Sequence, residues 1–256
     1  MQNTAFRRGA VAASAVSLAL LLSACGGEDK KDESKGSNGA KNDTKKSAPA
    51  KTQAELDKLA IVSADVKGGA KHEVKPALAS DIKDAAGAKS DKSECATLNK
   101  VMAGGAPGES AASVSRRVTT GMEPPKTGTP EEQAAASMDA LKNMSMSMLT
   151  LASYEGDGAT KAVADLKKSA EACGAGFTST IKSDKTKVTK VAPATYAGGD
   201  EALAYTVSVD AEGESMQAPV VVVRKGNEVF SIFSFNLSGK SEQPKAVIDA
   251  QLKKLG

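Results

Sequence analysis

The stretch QAPVVVVRKGNEVFSIFSFNL, residues 217–237, decides the fold. Two runs rich in β-branched and aromatic residues flank Lys225-Gly226-Asn227, and glycine beside asparagine suits a tight hairpin turn, whose central residues need positive φ. Working backwards, EALAYTVSVD (201–210), KVTKVAPATY (187–196) and GFTSTIKS (176–183) have the same character. Too few residues separate these runs for crossover helices, so the strands pair antiparallel. Further out the pattern changes to helices. Residues 241–255 place Val247, Ile248, Leu252 and Leu255 on one helical face. ATKAVADLKKSAEAC, after the turn Gly156-Asp157-Gly158, does the same with Ala162, Val163, Leu166, Ala170 and Cys173, and Gly174 stands at its C′ position.

Residues 111–120 and 145–154 read as strands on either side of a helix opened by Thr129-Pro130-Glu131-Glu132, with an N-cap, a proline at N1 and acids in the first turn. Thr52-Gln53-Ala54-Glu55 is a capping box that opens a helix of about two turns, with Leu56, Leu59 and Ala60 as its apolar face. Residues 61–95 are polar and broken by glycine and proline, and read as loop with short helical turns. CATLNKVM, from Cys95, is a short helix ended by the glycine-rich residues 104–108. The class is α+β: a mainly antiparallel β-sheet with packed helices, in a single exported domain over residues 52–256.

That domain follows a leader. Arg7 and Arg8 precede an uncharged run, GAVAASAVSLALLL, and then Leu22-Ser23-Ala24-Cys25. The run is shorter than the ~20 residues a membrane-spanning helix needs, so residues 1–24 read as a signal peptide. Residues 22–25 resemble a bacterial lipobox, with Cys25 as the lipidated residue and the membrane as partner through that anchor. The other reading is an ordinary secreted protein with a chance cysteine, which leaves an odd thiol. Several acyl chains on one residue anchor stably, because each buried methylene contributes about 0.8 kcal/mol. Residues 25–51 are Gly/Ser/Asn-rich and of mixed charge, too polar to bury a core, and form a disordered tether with a reach of roughly 25–30 Å.

The charge balance, 34 Lys and Arg against 31 Asp and Glu, excludes a nucleic-acid binder driven by bulk charge. Aromatics make up 3% of the chain and tryptophan is absent, so there is little for base or sugar stacking. One histidine, His72, and no nucleophile-elbow, zinc-helix or P-loop pattern leave no visible catalytic set, so the chain reads as a non-enzyme without a cofactor. In an exported domain, Cys95 and Cys173 are expected to form a disulfide; a redox or metal pair would favour C-x-x-C spacing. Met144, Met146 and Met148 alternate, so on a strand their thioethers share a face that either packs under a helix or binds copper. Lys182, Lys185, Lys187 and Lys190 crowd one hairpin, either as a solvated edge or as a contact for an anionic envelope surface. Phe233 and Phe235 share a strand face and Phe230 takes the other, so a carrier of lipid or another apolar molecule would use only part of that set.

LDKLAIVSADVKGG, SDKSECATL, LASYEGDGATKAVADLKKSAEAC and GGDEALAYTV together resemble the PknH-like extracellular sensor domain, over residues 56–237. That family occurs on actinobacterial serine/threonine kinases and in stand-alone actinobacterial lipoproteins. The resemblance implies an antiparallel sheet with packed helices, disulfide bonding and a ligand cleft. Two departures stand out: Ala170 replaces a tryptophan that often precedes the second cysteine, and one cysteine pair remains instead of two. The expectation is a membrane-anchored extracytoplasmic lipoprotein, a non-catalytic ligand-binding or sensor-like module of the cell envelope. Its small-molecule or protein ligand is unnamed, and with no kinase domain its signal passes to a partner.

Overall fold

The computed structural model describes residues 49–68, 70–121, 127–211, 213–236 and 238–256. The expected signal peptide, Cys25 and the tether up to residue 48 lie outside them. The elements are α1 (Gln53–Leu59), β1 (Lys71–Pro76), α2 (Ala79–Gly87), β2 (Lys89–Ser90), α3 (Ala96–Met102), β3 (Ala112–Gly121), α4 (Pro130–Lys142) and β4 (Ser145–Ser153). They continue as α5 (Gly158–Ala172), β5 (Phe177–Ile181), β6 (Asp184–Ala194), β7 (Glu201–Ala211), β8 (Glu214–Lys225), β9 (Glu228–Asn236) and α6 (Lys245–Leu255).

The nine strands form one antiparallel sheet in the order β1-β3-β4-β9-β8-β7-β6-β5-β2. Lys225 pairs with Glu228 across the hairpin, and Gly226 supplies its positive φ of 60°. In β8 every residue from Ala218 to Val223 is buried, because helices cover this strand on both faces. That sorts the core in two. Val220, Val222, Val207 and Val229 pack under α3 and α5 with Leu98, Val163 and Leu166. Val221, Val223, Leu149, Phe230 and Ile232 pack under α1 and α6 with Leu56, Val247 and Ile248.

Both sequence-read helix starts have the expected geometry. Glu55 Oε2 accepts from the backbone N–H of Thr52 at 2.8 Å, and Glu132 Oε2 accepts from that of Thr129 at 2.8 Å. Residues 61–95 correct the loop reading: they hold β1, α2 and β2 as well as short 3-10 turns. Strand β1 is an edge strand on which only His72 and Val74 are half-buried, and α2 buries only Ala85, so neither carries a strong apolar period. After α5 the positive φ falls on Gly176 (87°), two residues beyond the C′ glycine. A Cβ there would lie 2.2 Å from the Val188 carbonyl oxygen. A register shift between Val188 and Lys190 is a bulge that leaves Val188 and Val191, three apart, in one core cluster.

The sheet curls toward the α5 face. Asp81 of α2 pairs with Arg117 of β3 at 3.8 Å, and Asp84, one turn on, pairs with Lys182 after β5 at 2.9 Å. In a flat sheet β3 and β5 would stand about 29 Å apart, at ~4.8 Å per strand. A sheet bent around α2 lets one helical turn and two long side chains reach across it.

Candidate functional site: an apolar trough on the curled face

Cys95 and Cys173 are joined, with Cα atoms 5.7 Å apart and both residues fully buried. The bond ties the start of α3 to the end of α5. Ser169 strengthens the junction: its hydroxyl donates to the Glu94 carbonyl at 2.6 Å and accepts from the Leu98 N–H at 3.2 Å.

The other end of α3 is set by β4. Gly104 has φ +89°, and a Cβ on it would lie 2.5 Å from Met148 Cγ, so the methionine occupies the space a side chain would need. The Thr150 hydroxyl donates to the Gly104 carbonyl at 2.6 Å. These contacts place Met102, the last residue of α3, over the sheet.

Beyond Met102 the far ends of β5 to β9 line a trough of about 540 Å³, within the ~300–1,000 Å³ of small-ligand sites, and among the described residues no other helix contributes a wall to it. Its apolar walls are Met102, Ile181, Val209, Met216, Phe233 and Phe235. The Phe233 and Phe235 rings lie 6.3 Å apart with planes tilted by 35°, and Phe235 is 37% exposed. Lys185 and Asp210 also border the trough, and Asp210 Oδ1 accepts the Gly213 N–H at 2.8 Å. Such a surface favours an uncharged ligand body through burial of apolar area. Four wall residues come from separate elements and no local pattern marked them: Met102, Ile181, Val209 and Met216.

The sequence-nominated residues separate. Phe233 and Phe235 line the trough, and Phe230 is buried on the opposite face. Met148 and Met146 stand opposite Phe233 and Phe235 in register, on the trough's face of the sheet. Met144 precedes β4, and its Cγ would lie 3.7 Å from a Cβ at Gly121. His72 is on the other face, with Nδ1 at 2.9 Å from Thr120 Oγ1 in a polar cavity of about 500 Å³. Burial lowers its pKa below the usual histidine value. Among the described residues, no cluster of three His, Cys, Asp or Glu side chains is arranged to hold a metal. Lys182 takes a positive φ of 57° and is spent on Asp84, so the lysine hairpin is partly neutralised. Asn99, one turn before Met102, is buried, and its amide nitrogen and oxygen have no hydrogen-bond partner among the described residues.

No protein-family model matches the chain, and no curated protein matches it. Among solved structures, the chain is similar to the extracellular domain of PknH from Mycobacterium tuberculosis: 12% identity and a TM-score of 0.49, covering 81% of this chain and 97% of that one.

Proposed function

We propose that this protein is a membrane-anchored extracytoplasmic lipoprotein whose folded domain is a non-catalytic, sensor-like ligand-binding module, and that its ligand is an apolar molecule seated in the trough. The observation that carries the ligand reading is the uncovered apolar wall of Phe233, Phe235 and Met216 on a face whose remainder is capped by α3 and α5. The lipobox-like residues 22–25 support the anchor. The buried Cys95–Cys173 bond suits an oxidising compartment outside the cytoplasm. Among the described residues, no helix is long and apolar enough to cross a membrane.

The test uses the chain exported without its lipid through Cys25→Ser, titrated with the fluorescent apolar probe 1-anilinonaphthalene-8-sulfonate. Saturable binding is expected, weakened at least tenfold by Phe235→Asp, a change at a partly exposed position whose folding an unchanged circular dichroism spectrum would verify. Equal affinity in the variant would sink the trough as the site. Globomycin treatment of cells making the natural Cys25 chain tests the anchor: accumulation of an uncleaved precursor is expected, and normal maturation would contradict it.

A further inference from the structure

Helix α4 is built to persist and yet buries no residue among the described part of the chain. It has a complete capping box, a proline in its first turn and a basic last turn. Ala134, Met138 and Leu141 follow the i, i+4, i+7 spacing of one helical stripe. Met138 is 58% and Leu141 51% exposed. A soluble helix with an apolar stripe in water lacks its counterpart.

Chain connectivity brings the end of that helix to the end of the sheet that carries the trough. It ends at Lys142, three residues before β4 begins, and the second residue of β4, Met146, stands opposite Phe235. Counting back from Ser145 at ~1.5 Å per residue, Leu141, Met138 and Ala134 lie about 6, 10 and 16 Å along the helix. Counting outward from β4 at ~4.8 Å per strand, β9, β8 and β7 lie about 5, 10 and 14 Å away. Those three strands supply Phe235, Met216 and Val209 to the trough. Laid across the strands from β4, the helix would therefore set one apolar series against the other. Gly128, at φ +126°, stands just ahead of the N-cap, and Asn143 is the C-cap, so the helix is bounded by short connections at which a closing movement would have to occur.

Resting on the proposed ligand reading, we infer that α4 is the second wall of the ligand site, closing with Ala134, Met138 and Leu141 over a single acyl chain lying across β9 to β5. The trough crosses five strands, about 19 Å at ~4.8 Å per spacing. Half of a bilayer's ~30 Å hydrocarbon core, the depth of one acyl chain, is about 15 Å. The wall of thioethers and phenyl rings is adaptable and apolar, which suits a flexible hydrocarbon.

The experiment places spin labels at Asp139→Cys on α4 and Thr189→Cys on β6 of the exported Cys25→Ser chain, and measures their separation by pulsed electron resonance. The measurement is made alone, with palmitate, and with phosphatidylglycerol vesicles. A shortening by about one strand spacing, ~5 Å, or more is expected. Closure with palmitate identifies a free fatty acid, and closure with vesicles alone identifies a chain drawn from a lipid; either supports the inference. In parallel, Met138→Glu with Leu141→Glu is expected to weaken palmitate binding at least tenfold while leaving the melting temperature unchanged, since both side chains are exposed. An unmoved distance, or full palmitate affinity in the double variant, overturns the role of α4 while leaving the trough intact. Binding of the fluorescent probe without palmitate or vesicle binding overturns the acyl chain alone. Absence of all binding removes the ligand reading with it.

Discussion

Both helical coats pack on apolar cores, but on the curled face α3 and α5 are also joined by a covalent bond between Cys95 and Cys173, whereas on the opposite face α1 and α6 add hydrogen bonds and ion pairs. Gln251 of α6 is fully buried; its Oε1 accepts the Ile61 N–H at 3.1 Å and its Nε2 donates to the Leu59 carbonyl at 3.0 Å. Around it, Arg116 donates to Asp57 at 2.7 Å and Lys254 to Asp65 at 2.9 Å. The α1–α6 coat joins segments almost 200 residues apart in the chain, and the four partners of its two ion pairs stay at least partly in contact with water apart from Arg116. The comparison teaches where vacant apolar surface is affordable. The face with the covalent bond leaves the apolar ends of five strands open, while the vacancy on the α1 and α6 face, at His72, is lined by polar groups.

The widest gap between the faces should appear when the covalent bond is removed. In the chain-entropy account, a disulfide spanning a separation of 78 residues contributes about 4.5 kcal/mol. Cys95→Ala with Cys173→Ala should therefore lower the melting temperature by roughly 9–18 °C, at ~2–4 °C per kcal/mol for a domain of this size. Calorimetry checks it; a drop of only a few degrees would mean that packing, not the bond, holds the curled face.

Gln251→Ala comes next. It strands the Ile61 N–H and the Leu59 carbonyl in the core, which should cost about 2–3 kcal/mol. Hydrogen exchange is expected to rise in α1 and α6 and stay unchanged in α5; an equal rise in α5 would show that the two coats unfold as one.

The smallest effect is electrostatic. The hydrogen bond from Lys254, and then that from the Val62 N–H, hold the Asp65 carboxyl below its usual value of 3.8. The native state thus binds fewer protons than the unfolded one, so this contribution is complete above that value and is lost as pH falls through the lowered one. At a partly exposed pair it amounts to about 0.5 kcal/mol. Asp65→Asn should remove that part of the acid-induced loss in denaturant titrations, and an unchanged acid limb would assign the loss to other carboxylates.

How much of this was legible varies with how local the signal is. The four valines of β8, the Lys225-Gly226-Asn227 turn and the capping boxes at Thr52 and Thr129 are decided within a few residues, so sequence reading finds them. Strand β1 escaped because KHEVKP sits at a sheet edge, where lysines and a proline guard against further pairing and dilute the alternation. Helix α2 escaped because one alanine is all it buries. At the site, strand parity separated Phe233 and Phe235 from Phe230, but Met102, Ile181, Val209 and Met216 converge only through the curl of the sheet. Asp81 and Asp84, on a helix in the stretch read as loop with short helical turns, reach the two sides of that curl.

Lys51, the last residue of the expected tether, is already gripped by the domain. Its N–H donates to the Ser153 hydroxyl at 2.9 Å and its ammonium to Glu228 at 2.8 Å. Ser153 and Glu228 face each other across β4 and β9, interior strands of the sheet. A pull on the leading segment therefore enters the domain at its interior rather than at an edge strand that could be peeled away. Under the proposed anchor, drag on the domain would first be borne by that two-pronged grip, before α1 or the sheet yields.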